Sequence, residues 1–170
     1  MWLAHALTLS RIPIAIALWS TYGDPARSLA LVALAALTDA ADGNVARFMQ
    51  RRGHTAPAIG GWLDPLVDKL FVAIVLALVW LRAGEPLVVV LVGARELLFL
   101  PLAALYAARR PTLGELHADP IGKAATIAQF VALAVVLAAP AWALPAAVTA
   151  AALGLAAVAH YASRVLRPPP

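Results

Sequence analysis

The 170-residue chain contains no cysteine, and only 13% of its residues are charged. Without cysteine it has no disulfide framework, no thiolate nucleophile and no cysteine-based zinc site. Its four histidines show no metal-site spacing and form no readable Ser-His-Asp arrangement. Apolar residues are abundant instead: 63% of the chain is hydrophobic, which lies outside the soluble range and indicates an integral membrane protein. No cleavable signal peptide is expected, because Arg11 interrupts the first apolar run.

Six apolar segments are long enough to be transmembrane spans. Turn and breaker residues separate them, among them Gly23-Asp24-Pro25 and Gly84-Glu85-Pro86. The segments are too long for strands, so the prediction is an all-α polytopic membrane protein forming a single domain over residues 1–170. The predicted spans are residues 8–22, 28–46, 62–81, 86–108, 121–139 and 142–163.

Basic residues are unevenly distributed between the predicted loops and span ends, which indicates the orientation of the chain. One side has only Arg27 and Arg82, whereas the other collects most of the remaining basic residues: Arg47, Arg51, Arg52, Arg109, Arg110, Lys123, Arg164 and Arg167. Because cytoplasmic loops are enriched in lysine and arginine, both termini are predicted to be cytoplasmic. The net charge of +4 is explained by these loops and by anionic lipid headgroups, without a nucleic-acid partner.

Four of the nine acidic residues lie beside or inside apolar segments, at the predicted cytoplasmic ends of spans two and three: Asp39, Asp42, Asp64 and Asp68. A carboxylate in apolar surroundings is costly to ionise unless a positive group lies against it. Spacings of three and four residues place each pair on one face of a helix. Hard oxygen ligands of this kind suit Mg²⁺ or Mn²⁺, and four can hold two such ions.

Neighbouring residues suggest a phosphorylated ligand. Gly43 would allow a ligand to approach the helix closely, and Arg47 offers a bidentate fork for phosphate oxygens. Two other interpretations remain open. The acids could form structural ion pairs, Asp68 with Lys69 or Asp42 with Arg47, or they could line the ion path of a small divalent-cation transporter.

The order Asp39-x2-Asp42-Gly43-x2-Ala46-Arg47, followed by Gly60-x3-Asp64-x3-Asp68, resembles the signature of the CDP-alcohol phosphotransferases. The six-span arrangement is similar to that family too. The resemblance implies that four aspartates bind two divalent ions, Mg²⁺ or Mn²⁺, and that one of them is also the catalytic base: Asp39, Asp42, Asp64 and Asp68, the last being the base. It also implies that a second set shapes the pocket for the CDP moiety: Gly43, Ala46, Arg47 and Gly60.

Further matches resemble the bacterial phosphatidylglycerophosphate synthase branch: Leu7-Thr8-Leu9-Ser10-Arg11, residues 63–69, Arg95-Glu96, and Gly122-Lys123-x2-Thr126-x2-Gln129. This resemblance implies a bacterial-type inner membrane enzyme with a cytoplasmic active site. Its donor would be CDP-diacylglycerol and its acceptor glycerol 3-phosphate, contacted by Arg95 and Lys123. The family's habit of forming homodimers is carried over with it. For Arg95 and Glu96, a mutual salt bridge serving packing alone is the alternative.

Three departures from that branch leave the acceptor open. The spacing from Arg47 to Gly60 is longer than is usual in the family, and two positions where the branch carries cations are Ala103 and Ala125. An inositol phosphate or another small alcohol is therefore an alternative acceptor. A catalytically inactive scaffold is a further alternative, although all four aspartates are present.

Overall fold

The structure is a computed structural model that describes residues 2–51, 60–109 and 120–165. Within those ranges the chain is helical throughout, apart from short turns, and contains no strand. The helices are α1 (Trp2–Thr21), α2 (Pro25–Arg51), α3 (Gly60–Ala83), α4 (Pro86–Arg109), α5 (Pro120–Ala138) and α6 (Ala143–Val165), with a 3-10 turn at Pro140–Trp142. The all-α prediction is confirmed, and each predicted span corresponds to one helix.

Two helices extend well past the spans predicted for them. Helix α1 begins at Trp2 rather than near residue 8, and α2 continues to Arg51 rather than ending near residue 46. The predicted spans rest on hydropathy, which falls where polar residues begin. A helix needs only backbone hydrogen bonds and residues of good propensity, and Gln50 and Arg51 are such residues. The extension of α2 matters for function because it places the whole Asp39–Arg47 segment on one continuous helix.

The turn between α1 and α2 is determined by its three central residues. Gly23 has a φ of 94°, a left-handed conformation that glycine adopts without strain. Asp24 then caps α2: its Oδ1 accepts a 3.1 Å hydrogen bond from the Arg27 amide, and its carbonyl accepts one from the Ser28 amide. Pro25 occupies the first helical position, where its missing N–H costs nothing. The predicted breaker is thus confirmed.

The turn between α3 and α4 follows the same logic. Gly84, with a φ of 68°, donates its amide to the Trp80 carbonyl and so ends α3. Glu85 accepts a 3.2 Å bond from the Val89 amide, and Pro86 begins α4. Both turns are short because glycine permits the reversal and proline starts the next helix.

The chain divides into two compact units. The first comprises Met1–Gly84 together with Leu137–Pro140. In it α1 packs against both α2 and α3, so α1 is the central helix of these three. Each helix buries a stripe of residues at helical spacing: Ile14, Ala15 and Leu18 of α1, Ser28, Val32 and Ala35 of α2, and Val67, Phe71, Val75 and Leu78 of α3.

The second unit comprises Glu85–Val136 and Ala141–Pro170. In it α4 packs against α6. The buried residues of α6 are almost all small, so neighbouring helices can approach closely: Ala143, Ala147, Ala150, Ala151, Gly154 and Ala157. That one domain covers residues 1–170 remains a prediction.

Membrane-spanning character is clearest for the last two helices. Among the residues described, Pro120–Ala138 and Pro140–Ser163 are long and apolar enough to cross a bilayer. Every helix also exposes at least one large apolar side chain, as expected of a lipid-facing surface: Ile16, Leu37, Leu81, Leu97, Ile127 and Val148. The six-span arrangement with cytoplasmic termini remains a prediction for the other four helices.

Candidate functional site

The first candidate site is built on α2 and α3. Helix α2 runs without interruption from Pro25 to Arg51 and contains the first part of the signature: Asp39, Asp42, Gly43, Ala46 and Arg47. The predicted helical spacing of the first aspartate pair is therefore confirmed for the backbone. Asp64 and Asp68 lie in α3, four residues apart, and Gly60 is the first residue of that helix.

The structure describes the side chains of two members of this set, Asp39 and Asp68. The side-chain surroundings of the other predicted site residues lie outside the described part of the chain: Asp42, Gly43, Ala46, Arg47, Gly60 and Asp64. Their assignment to metal and CDP binding remains a prediction.

Arg11 brings Asp39 and Asp68 together. Its Nη1 lies 3.2 Å from Oδ1 of Asp39 and also forms an ion pair with Oδ1 of Asp68. The arginine side chain is buried, at 1% exposure, whereas the two carboxylates are 37% and 42% exposed. A single guanidinium on α1 thus contacts one carboxylate from α2 and one from α3.

Sequence reasoning identified Arg11 only as part of a motif and as an interruption of the first apolar run. It gave the residue no place in the site. A charged side chain inside an apolar helix was the available signal, because such a group in a protein interior is paired or functional. What the sequence could not provide was the identity of its partners, which lie 28 and 57 residues further along the chain (39 − 11 and 68 − 11).

The chemistry of the donor set fits a hard divalent cation. The two carboxylates that contact Arg11 carry one more unit of charge than its guanidinium, and two more aspartates lie on the same two helices. Oxygen-only ligands suit Mg²⁺ or Mn²⁺. Among the side chains described, no three acidic, histidine or cysteine residues are grouped so that they could hold a metal ion. Asp42 and Asp64 are outside that set, so the metal site also remains a prediction.

A second polar cluster lies in the second unit, between α4 and α5. Arg95 donates a 2.8 Å hydrogen bond from Nη1 to Oγ1 of Thr126, whose hydroxyl in turn donates to the Gly122 carbonyl at 3.1 Å. Gln129, which is buried, donates from Nε2 to Oε2 of Glu96 at 2.6 Å. The neighbours Arg95 and Glu96 therefore bond to different residues of α5, rather than forming the mutual salt bridge that was the packing alternative.

Two glycines let the helices of this unit come close to that cluster. A Cβ atom at Gly154 of α6 would lie 2.9 Å from Cβ of Arg95, so only glycine fits there without a shift. A Cβ at Gly122 would lie 2.8 Å from the hydroxyl oxygen of Tyr161, whose ring also packs edge-on against Phe99. Close packing against Gly154 and the hydrogen bond to Thr126 therefore both restrict the position of the Arg95 side chain.

Lys123, the other predicted acceptor-binding residue, is exposed in the first turn of α5. Ala125, where the related branch carries a cation, is buried at 1% exposure. Of the two predicted acceptor residues, Arg95 therefore belongs to a polar cluster, and Lys123 lies at an exposed position one turn before Thr126. Ala103 lies in α4, and its side chain is outside the described part.

Comparison with known proteins gives the family. The family model of the CDP-alcohol phosphatidyltransferases matches residues 1–161. A stretch of 78 residues is 36% identical to a protein of Blochmanniella floridana named CDP-diacylglycerol–glycerol-3-phosphate 3-phosphatidyltransferase. That stretch covers 43% of this chain and 39% of the relative, so the match spans about two fifths of the relative's length. No solved structure matches the chain.

Proposed function

The chain belongs to the CDP-alcohol phosphatidyltransferase family, and on that premise we propose that it is a membrane enzyme of phospholipid biosynthesis. It transfers the phosphatidyl group of CDP-diacylglycerol to a small alcohol and releases CMP. The leading acceptor is glycerol 3-phosphate, which the name of the Blochmanniella floridana relative contains. The product is then phosphatidylglycerol phosphate. An inositol phosphate remains the alternative acceptor, because Ala103 and Ala125 replace cations.

One observation carries this proposal: Arg11 contacts both Asp39 and Asp68, the first and last aspartates of the signature. These residues lie 29 positions apart (68 − 39), on different helices, yet they reach the same guanidinium nitrogen. Such convergence is required if the signature is a single site. Their partial exposure allows a water-soluble metal ion and a charged substrate to reach them.

In the proposed reaction the acceptor hydroxyl attacks the β-phosphorus of CDP-diacylglycerol. A new bond forms between that phosphorus and the hydroxyl oxygen, and the bond to the bridging diphosphate oxygen breaks. CMP leaves with the electron pair of that bond. Asp68 takes the proton of the hydroxyl as general base, and Arg47 binds phosphate oxygens of the nucleotide through its forked donors.

The carboxylates of Asp39, Asp42, Asp64 and Asp68 would hold two divalent ions. Bound there, Mg²⁺ or Mn²⁺ would neutralise the diphosphate and the charge that develops on the departing CMP. Gly43, Ala46 and Gly60 are proposed to line the CDP pocket, since small residues leave room for a ligand beside a helix.

Arg95 and Lys123 are proposed to bind the phosphate of the acceptor. The support for Arg95 is its hydrogen bond to Thr126, which holds a guanidinium fork in one place within an otherwise apolar helix. Lys123, at an exposed position one turn before Thr126, supplies a mobile point charge.

The remaining parts of the proposal concern the membrane. Six helices would span the bacterial inner membrane with both termini and the aspartates on the cytoplasmic side, where the nucleotide is soluble. The acyl chains of the donor would lie among the apolar helices, and two copies of the chain would form a homodimer.

The test is an assay of purified protein in detergent with CDP-diacylglycerol, Mn²⁺ or Mg²⁺, and a panel of acceptors. We expect acceptor-dependent CMP release that stops when the metal is chelated. Asp68→Asn should reduce turnover by about 10³-fold or more, since it removes both a base and a metal ligand. Asp24→Asn is the matched control: it makes the same chemical change at an aspartate in the α1–α2 turn, where asparagine still caps the helix.

Folded wild-type protein that releases no CMP with any acceptor would contradict the proposal. If the same preparation instead carries Mn²⁺ across vesicle membranes, the carboxylates belong to a transporter. Turnover in Asp68→Asn equal to that in Asp24→Asn would remove Asp68 as the base.

A further inference from the structure

Arg11 is the largest side chain that the structure buries completely. It lies near the middle of α1, on the same face as Thr8, Ile14 and Ala15, which are also buried. Arginine stays charged inside proteins, so this helix carries a permanent positive charge into an apolar interior. A charge in that position costs several kcal/mol unless other groups compensate it.

Among the side chains that the structure describes, Asp39 on α2 and Asp68 on α3 lie against this charge. Arg11 contacts Oδ1 of each carboxylate from the buried side of the bundle, while both aspartates keep more than a third of their side chains exposed. The proposed metal ions must therefore approach the same two carboxylates from their exposed side. The guanidinium of Arg11 and a metal ion from solution would therefore interact with the same two carboxylates.

We propose that Arg11 is a built-in counter-cation that balances Asp39 and Asp68 when no divalent metal is bound. The inference rests on the proposed function, because it assumes that these carboxylates bind metal. Without metal, the guanidinium prevents α2 and α3 from being driven apart by like charges. With metal bound, the same guanidinium repels the ions and weakens their binding.

This role differs from that of an arginine that only packs. A packing arginine stabilises the fold equally with and without metal. A counter-cation stabilises the metal-free protein most, because bound metal takes over part of its function. Replacing Arg11 should therefore make the protein more dependent on metal, and should also tighten metal binding because a repelling charge is gone.

The test compares wild type with Arg11→Gln by two measurements in detergent. Binding of Mn²⁺ is followed by the electron paramagnetic resonance signal of the free ion, and thermal unfolding is recorded with Mn²⁺ and with a chelator. We expect Arg11→Gln to bind Mn²⁺ about tenfold more tightly. By linkage, its Tm should then rise on adding Mn²⁺ by about 3–5 °C more than that of wild type.

Arg27→Gln is the matched control. Arg27 forms a 3.1 Å ion pair with Asp24, but its side chain is 76% exposed, and it lies 12 residues before Asp39 (39 − 27). Its Mn²⁺ affinity and Mn²⁺-dependent Tm rise should equal those of wild type. If Arg11→Gln folds only when Mn²⁺ is present, the proposal is supported in its strongest form.

Equal Mn²⁺ affinity and equal Tm gains in wild type and Arg11→Gln would overturn the proposal while leaving the enzymatic function intact. Wild-type protein that binds no Mn²⁺ would contradict the proposed function itself. If Arg11→Gln is unfolded in all conditions, Arg11→Lys decides. Lysine keeps the positive charge, so the Mn²⁺ affinity and the Tm gain with Mn²⁺ of Arg11→Lys should equal those of wild type even if its Tm without metal is lower. A changed Mn²⁺ affinity in Arg11→Lys would overturn the proposal.

Discussion

Gln129 of α5 donates a 2.6 Å hydrogen bond to the carboxylate of Glu96 on α4, and its Nε2 also reaches the Val92 carbonyl at 3.0 Å. The amide of one buried glutamine thus serves a side chain and a backbone acceptor on the neighbouring helix. Because Glu96 follows Arg95 directly, this contact and the Arg95–Thr126 bond together fix the rotation of α4 against α5.

We expect Gln129→Leu to lower the free energy of unfolding by about 2 kcal/mol, because it leaves a carboxylate and a carbonyl without their donor. For a chain of this size, the Tm should fall by roughly 4–8 °C in thermal unfolding. The double variant Glu96→Leu/Gln129→Leu is the control. It removes both partners and should be less destabilised than the sum of the two single variants; strict additivity would contradict the coupling.

Thr126→Val should raise the KM for the acceptor by about tenfold, because Arg95 loses the hydroxyl that holds its guanidinium. Hydrogen bonds to charged groups contribute about 1.5–3 kcal/mol. The KM for CDP-diacylglycerol should not change. Steady-state assays with each substrate varied in turn measure both values. Thr149→Val, at an exposed threonine of α6 that bonds only its own helix, is the control. Equal changes in both KM values would show that Thr126 acts on the whole fold.

Gly154→Ala should destabilise the protein although alanine is the better helix former. The gain in helix propensity is about 1 kcal/mol, whereas forcing a methyl group to 2.9 Å from Cβ of Arg95 costs about 1–3 kcal/mol. Thermal unfolding should therefore show a lower Tm. Ala152→Leu adds more atoms at an exposed position of the same helix and should change the Tm little. A higher Tm in Gly154→Ala would show that α4 and α6 have room to move apart.

The parts of the fold that depend on local chemistry could be predicted from the sequence. Gly23-Asp24-Pro25 ends one helix and caps the next through bonds between residues at most four apart, and the turn forms where expected. The sequence also assigns Asp39 and Asp68 to one signature, and in the structure both contact Arg11.

The partners of the buried polar groups could not be predicted in this way. Glu96 and Gln129 are 33 residues apart, and no periodicity indicates that an amide on α5 meets a carboxylate on α4 rather than the arginine beside it. Hydropathy also predicts too short an α1, because it describes what surrounds a helix, whereas hydrogen bonding decides where the helix ends.

The position of Arg11 has a consequence for cooperativity. Its ion pairs with Asp39 and Asp68 both exist only while α1, α2 and α3 are all in place, so local opening of either partner helix would remove one of them from a buried charge. We therefore expect these three helices to open together, with their amide hydrogens exchanging at a common rate, rather than to fray one at a time. One side chain on the first helix would thereby turn three segments of the chain into a single unfolding unit.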